Sequence, residues 1–125
     1  MNASKPIKID SDVRIAALAK HLECEADDIS ETSYDDTMFS CGRAEYRVLT
    51  DDEADRAWDE SLDSYIDDCI LPELKDKTLS RYFDRDSWKR DARHDGRGYS
   101  LSSYDGNEDE VRLDDGQYLY IYRVN

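Results

Sequence analysis

Apolar residues recur at two different periods along this chain, and the switch between the periods outlines its elements. Ile15, Leu18, Ala19 and Leu22 follow the three-and-four spacing of one helix face. That predicts a helix from a cap at Asp10 or Ser11 to about Glu23. Glu25 to Ile29 reads as a polar connection with one apolar anchor. Alternation then takes over. Two strands are expected, at about 33–39 and 43–49, with Cys41-Gly42 near the turn. Tyr46 and Val48 alternate there with Arg47 and Leu49, residues that suit a sheet.

Thr50-Asp51-Asp52-Glu53 is a helix start. Thr50 can cap, Glu53 three residues later completes a capping box, and the early acids complement the positive end of the helix dipole. This helix should run to about Ile70, with Pro72 near its end. A short helix is expected at 79–83. Another is expected at 86–93, capped by Asp84 or Asp86, with Trp88 facing inward. Asp95-Gly96-Arg97-Gly98 breaks it, and the remainder reads as β: a strand at 99–104, a turn at Asp105-Gly106, a strand near 111–113, a turn at Asp115-Gly116 and a last strand at 117–124. That last strand puts Tyr118, Tyr120 and Tyr122 on one face, read as core in preference to a contact surface, and Leu119 and Ile121 on the other. Residues 1–9 read as a loose arm of a single domain. The order predicts an α+β fold: an antiparallel sheet of about four to five strands, packed on one side by two to four helices.

Charge changes this picture from a fold to a function class. Of the 125 residues, 31 are acidic and 17 are Lys or Arg, giving a net charge of -14. Direct binding to nucleic acid or to an anionic membrane needs basic patches and is not expected; a basic partner is. Of the acids, 22 are aspartate. Aspartate forms helices less well than glutamate, so its use in a helix suggests carboxylates held close to the backbone at set positions. Cys24, Cys41 and Cys69 are odd in number and widely spaced, which suits a reducing compartment and neither a disulfide framework nor a metal motif. Met1-Asn2-Ala3-Ser4-Lys5-Pro6 leads into no apolar signal-peptide run, and no stretch reaches the roughly 20 apolar residues of a membrane span. An intracellular, soluble protein is expected.

The acids are most ordered on the second helix. At about 100° per residue, Ala54, Ala57, Trp58, Ser61, Leu62, Tyr65 and Cys69 share one broad face. Asp52, Asp55, Asp59, Asp63 and Asp67 form a stripe on the other, with Glu60 on its flank. Neighbours in the stripe lie about 5–6 Å apart at Cβ, similar to successive phosphates along a strand. Such like-charged neighbours destabilise a helix by about 0.2–0.5 kcal/mol per pair, and only Arg56 stands within the run as a counter-charge. The alternative is a solvated face.

Candidate chemistry is sparse. Asp105, Asn107 and Asp109 match the first, third and fifth positions of a calcium loop, but Glu110 stands where glycine is needed and Gly116 where a bidentate glutamate is needed. His94-Asp95-Gly96-Arg97-Gly98 lacks a nucleophile and reads as a helix stop. His21 reads as a surface histidine, and Cys69 as a buried small hydrophobe. There is no phosphate loop, GxSxG or HExxH. No catalytic residue, metal or cofactor is expected.

Tyr46 to Asp55, Ser64 to Pro72, Asp95 to Gly98, Leu101 to Gly106 and Tyr120 to Arg123 resemble stretches of a group of small acidic proteins carried by bacteriophages and mobile elements. The resemblance covers about half the chain and carries over no catalytic residue. It implies a setting, the cytoplasm of an infected bacterium, where anti-CRISPR and anti-restriction proteins block host defences, several of them similar to DNA in charge layout. The expectation is therefore an inhibitor of a host nucleic-acid-binding defence protein, a CRISPR–Cas effector or a restriction enzyme. Asp52, Asp55, Asp59, Glu60, Asp63 and Asp67 would contact its basic channel. The alternative is a non-enzymatic interaction module whose acidity serves solubility or a saline host and whose partner contacts are apolar or aromatic.

Overall fold

Helix α1 (Ser11–Leu22) forms where the first three-and-four spacing predicts it, and Asp10 caps it by accepting from the Val13 N–H at 3.0 Å. The computed structural model describes residues 7–32, 35–74 and 77–125. After α1 the chain makes a single 3-10 turn, Ala26–Asp28, and then enters β1 (Ile29–Glu31). The sequence reading of this stretch as a mere connection is corrected: Ile29 is indeed its buried anchor, but it also pairs with Cys41 of β2 (Met38–Cys41). Three residues are too few to show a period. Their strand conformation comes from the hydrogen-bonding edge that β2 offers. The expected strand at 33–39 begins later, at Met38, and Ser33 and Tyr34 lie outside the described residues.

Strand β3 (Ala44–Thr50) follows a turn in which Gly42 takes a positive φ of 62°. Helix α2 (Asp51–Tyr65) then starts on the expected capping box: Thr50 Oγ1 accepts from the Glu53 N–H at 3.2 Å, and Glu53 Oε1 accepts from the Thr50 N–H at 2.8 Å. Regular α-helix ends at Tyr65, five residues short of expectation. A π turn spans Ile66–Ile70 and a 3-10 turn spans Leu71–Glu73. Pro72 supplies the reason, since in a regular helix its ring would meet the carbonyl four residues back.

Helices α3 (Lys77–Arg81) and α4 (Arg85–Ala92) follow, the latter capped by Asp84. The next element overturns the sequence reading. Where a strand at 99–104 was expected, the chain forms helix α5 (Arg97–Leu101). Gly96, at φ 90° and ψ 159°, lets the chain turn directly into it. Gly98 packs so closely on the 106–108 loop that a Cβ there would meet Asn107 and Gly106 backbone atoms at 2.7 Å. Strands β4 (Asp109–Arg112) and β5 (Tyr118–Arg123) close the fold as a hairpin.

The fold is α+β: among the described residues, one antiparallel sheet of five strands in the order β1-β2-β3-β5-β4, with five α-helices. The helices do not sit on one side. α1 covers one face, where Leu18, Phe39, Val48, Leu119 and Ile121 are almost wholly buried. α2 and α5 cover the other, where Leu49, Ala54, Leu101 and Tyr122 form a second core with Trp58 and Tyr120 at its margin. Strand β5 therefore buries both its faces, which is why its tyrosine face is core at Tyr122 and grades outward through Tyr120 to Tyr118.

The loose arm is also partly corrected. Ile7 is tied down, its N–H donating to Asp115 at 2.7 Å and its carbonyl accepting from Gln117 at 3.0 Å. Residues 1–6 lie outside the described residues. Among the described residues no helix is long and apolar enough to cross a membrane.

Candidate functional site

The acidic stripe of α2 is where sequence reasoning placed the site, and the structure gives most of it intramolecular partners. Helix α4 lies against α2 and brings Arg85 and Lys89, with Arg93 in the 3-10 turn that follows it, cations spaced by four like Asp59, Asp63 and Asp67. Lys89 Nζ reaches Asp59 at 2.6 Å and Asp63 at 3.1 Å. Arg85 bridges Asp63, at 3.1 Å, and Asp67. Arg93 reaches Asp59 at 2.8 Å. The Lys89 hydrogen bond, with Arg85 behind it, holds the Asp63 carboxyl below its ordinary range. Asp59, led by its hydrogen bond, holds the Lys89 ammonium charged to higher pH than usual. Of the four repulsive contacts along the stripe, each about 0.2–0.5 kcal/mol, Asp59–Asp63 is thus bridged by Lys89 and Asp63–Asp67 by Arg85, both from outside the helix.

Asp55 is engaged from another side. Arg97, at the start of α5, reaches Asp55 at 2.9 Å, Asp51 at 2.8 Å and Glu108 at 2.8 Å, and its guanidinium lies 4.6 Å from the centre of the Tyr120 ring. Burial works against its charge, but Glu108 and Asp51 outweigh that and raise its pKa. Glu108 also accepts from the Tyr122 hydroxyl at 2.5 Å. Burial, then this carboxylate, push the Tyr122 phenol upward. The Asp95–Gly98 motif is therefore a structural junction joining α2, α5 and the loop before β4.

Two of the six expected contacts differ. Asp52 is exposed and forms no hydrogen bond or ion pair among the described residues. Glu60 is exposed on the rim of a 560 Å³ cavity between α1, β3 and α2, whose walls mix Arg14, Arg47 and Arg56 with Glu53. Arg14 is buried there, donating to the Val48 carbonyl at 2.7 Å and to both Glu53 oxygens at 2.7 and 3.0 Å. Burial alone would raise the Glu53 carboxyl, but Arg14 and the Thr50 N–H hold it below its usual range.

Other expected candidates are placed as follows. Asp105 accepts from the Asn107 N–H at 3.0 Å in a turn, and Asp109 lies 3.4 Å from His21 of α1, so the calcium-like run divides between a local turn and a contact between elements. Among the described residues no group of three or more His, Cys, Asp or Glu side chains is arranged to hold a metal. Cys69 is exposed, not buried as expected, because it falls in the π turn, which rotates it off the apolar face. Cys24 and Cys41, 17 positions apart in sequence, are neighbours; burial first, then Cys41, push the Cys24 thiol upward.

Sequence reasoning missed a cleft of 340 Å³ where α2, α4 and α5 converge, lined by Leu62, Tyr65, Trp88, Asp95 and Tyr99. Tyr65 and Trp88 stack with ring centres 5.5 Å apart and planes 9° from parallel. Tyr65 is 52% exposed and Tyr99 70%. The sequence signals for it are Tyr65 on α2's apolar face and the inward-facing Trp88; Tyr99 falls in the stretch expected as a strand. No protein-family model, curated protein or solved structure matches this chain.

Proposed function

We propose that this protein is a non-enzymatic inhibitor that docks on the basic, nucleic-acid-binding surface of another protein, of the kind bacteriophages and mobile elements direct against CRISPR–Cas or restriction enzymes. The observation that carries this reading is the charge: internal pairing leaves the net charge at -14, and the surplus carboxylates, among them Asp52, Glu60, Asp27, Asp28 and Glu110, are exposed. A surface of that sign attracts a basic channel from a distance and speeds encounter with it. The role of α2 is then divided. Asp52, Asp55 and Glu60 face outward as partner contacts. Asp59, Asp63 and Asp67 contribute negative potential while holding α4.

A second reading, an interaction module with aromatic contacts, is favoured by the exposed Tyr65, Leu79, Tyr82 and Tyr99. One experiment separates the two. Immobilised protein is exposed to bacterial lysate at low salt, and each captured protein is purified and assayed for nucleic-acid binding with and without this chain. The inhibitor reading expects a salt-eluted partner whose nucleic-acid binding falls as complex forms, with Asp52→Asn/Glu60→Gln weakening capture by about three- to tenfold. A partner that holds nucleic acid and this protein together, or stays bound in high salt, would overturn it.

A further inference from the structure

The cleft between α2, α4 and α5 has walls of a particular kind. Elsewhere in this molecule arginine repeatedly lies over an aromatic ring: Arg97 over Tyr120 at 4.6 Å, Arg123 over Tyr104 at 3.6 Å and Arg93 over Trp58 at 5.8 Å. Among the described residues no guanidinium lies over Tyr65, Trp88 or Tyr99. The cleft adds one carboxylate to these rings. Asp95 is exposed at its edge and makes no hydrogen bond or ion pair among the described residues. Aromatic faces attract a cation through the ring quadrupole, and a planar guanidinium both stacks on a ring and pairs with a carboxylate. At 340 Å³ the space suits one side chain and not a whole helix.

We propose that this cleft is a receptor for an arginine side chain of the basic partner, held between the Tyr65–Trp88 pair and Tyr99 with its guanidinium against Asp95. The proposal rests on the reading that the partner is basic, and deepens it by naming where one partner residue goes. Arginine is favoured over lysine because the stacked, near-parallel rings offer a flat surface, which a compact ammonium uses less well. Long-range attraction by the dispersed carboxylates gives rate, and the cleft gives register. Aromatic pockets of this kind are where interfaces concentrate binding energy.

The test uses the whole chain carrying Trp58→Phe, so that Trp88 supplies the single indole signal. N-acetyl-arginine amide, its lysine counterpart and its uncharged citrulline counterpart are titrated while the Trp88 indole N–H is followed by NMR. Saturable shifts are expected with the arginine compound at about millimolar affinity, with lysine about threefold weaker and citrulline about tenfold weaker. Asp95→Asn should weaken the arginine compound by about fivefold and Tyr99→Ala by about threefold. Both residues are solvent-exposed, so their loss leaves the fold in place. No saturable shift, equal binding of arginine and citrulline, or tighter binding of a free nucleoside would overturn the proposal. The outcome is separable from the function itself: salt-sensitive capture of a nucleic-acid-binding partner that survives Asp95→Asn and Tyr99→Ala would leave the inhibitor reading standing and remove the cleft from it.

Discussion

Gly98 shows how a single residue can decide an element. A methyl group there would sit 2.7 Å from backbone atoms of the 106–107 loop, and backbone cannot swing aside as a flexible side chain can. Gly98→Ala is expected to lower stability by about 1–3 kcal/mol, read from the urea midpoint. An unchanged midpoint would mean that the α5 packing described above is wrong. Lys89 makes the same point electrostatically. It is 8% exposed and bridges two carboxylates. Its truncation to Ala leaves Asp59 and Asp63 facing each other and is expected to cost about 1–2 kcal/mol, less in high salt. Trp58 is the opposite case: its indole N–H is buried without a partner among the described residues, so Trp58→Phe removes an unsatisfied donor along with some packing. It should change stability by under about 1.5 kcal/mol.

At the scale of elements, the capping signals transferred well because they are local. The box at Thr50 and Glu53 and the caps at Asp10 and Asp84 form as their spacing predicts. Thr50→Ala is expected to destabilise by about 1 kcal/mol, measured by thermal or urea unfolding. Elements set by their neighbours were not legible. β1 exists because β2 presents an edge, and α5 exists because Gly98 fits against the 106–108 loop. The stripe on α2 was visible in sequence, but its counter-charges were not. Arg85 and Lys89 belong to a separate helix and Arg93 to the turn after it, and only the packing of α4 on α2 aligns these cations, spaced by four, with Asp59, Asp63 and Asp67.

Across the whole molecule two electrostatic effects oppose each other, and pH separates them. Repulsion within a chain of net charge -14 weakens as pH falls from 7 toward the isoelectric point near 4.4, which favours the folded state. Asp63 and Glu53 act the other way. Their folded pKa values are depressed, so their contribution is complete above the unfolded carboxylate range, about 4, and is lost as pH falls through the folded values. Stability at low ionic strength should therefore pass through a maximum at mildly acidic pH and fall below about pH 4. Urea midpoints across pH 3–8 would check this at a fixed, low ionic strength. Asp63→Asn should flatten the acid limb, and a midpoint that keeps rising below pH 4 would remove these pairs from the account. At pH 7 added salt should stabilise the protein by screening the wider repulsion, even while it weakens the α2–α4 bridges.

By itself the sequence determined the starts of α1, α2 and α4, the β4–β5 hairpin, the amphipathic division of α2 and the acidic surplus, since each of these depends on residues within a turn or two of one another or on simple totals. Only the tertiary structure decided that helices cover both faces of the sheet, that Arg97 ties Asp51, Asp55 and Glu108 together, that four of the five aspartates of the acidic stripe are already paired, and that Tyr65, Trp88, Asp95 and Tyr99 enclose one cleft. These depend on which helix lies against which. That choice is made by burial summed over the whole chain, and no local spacing records it.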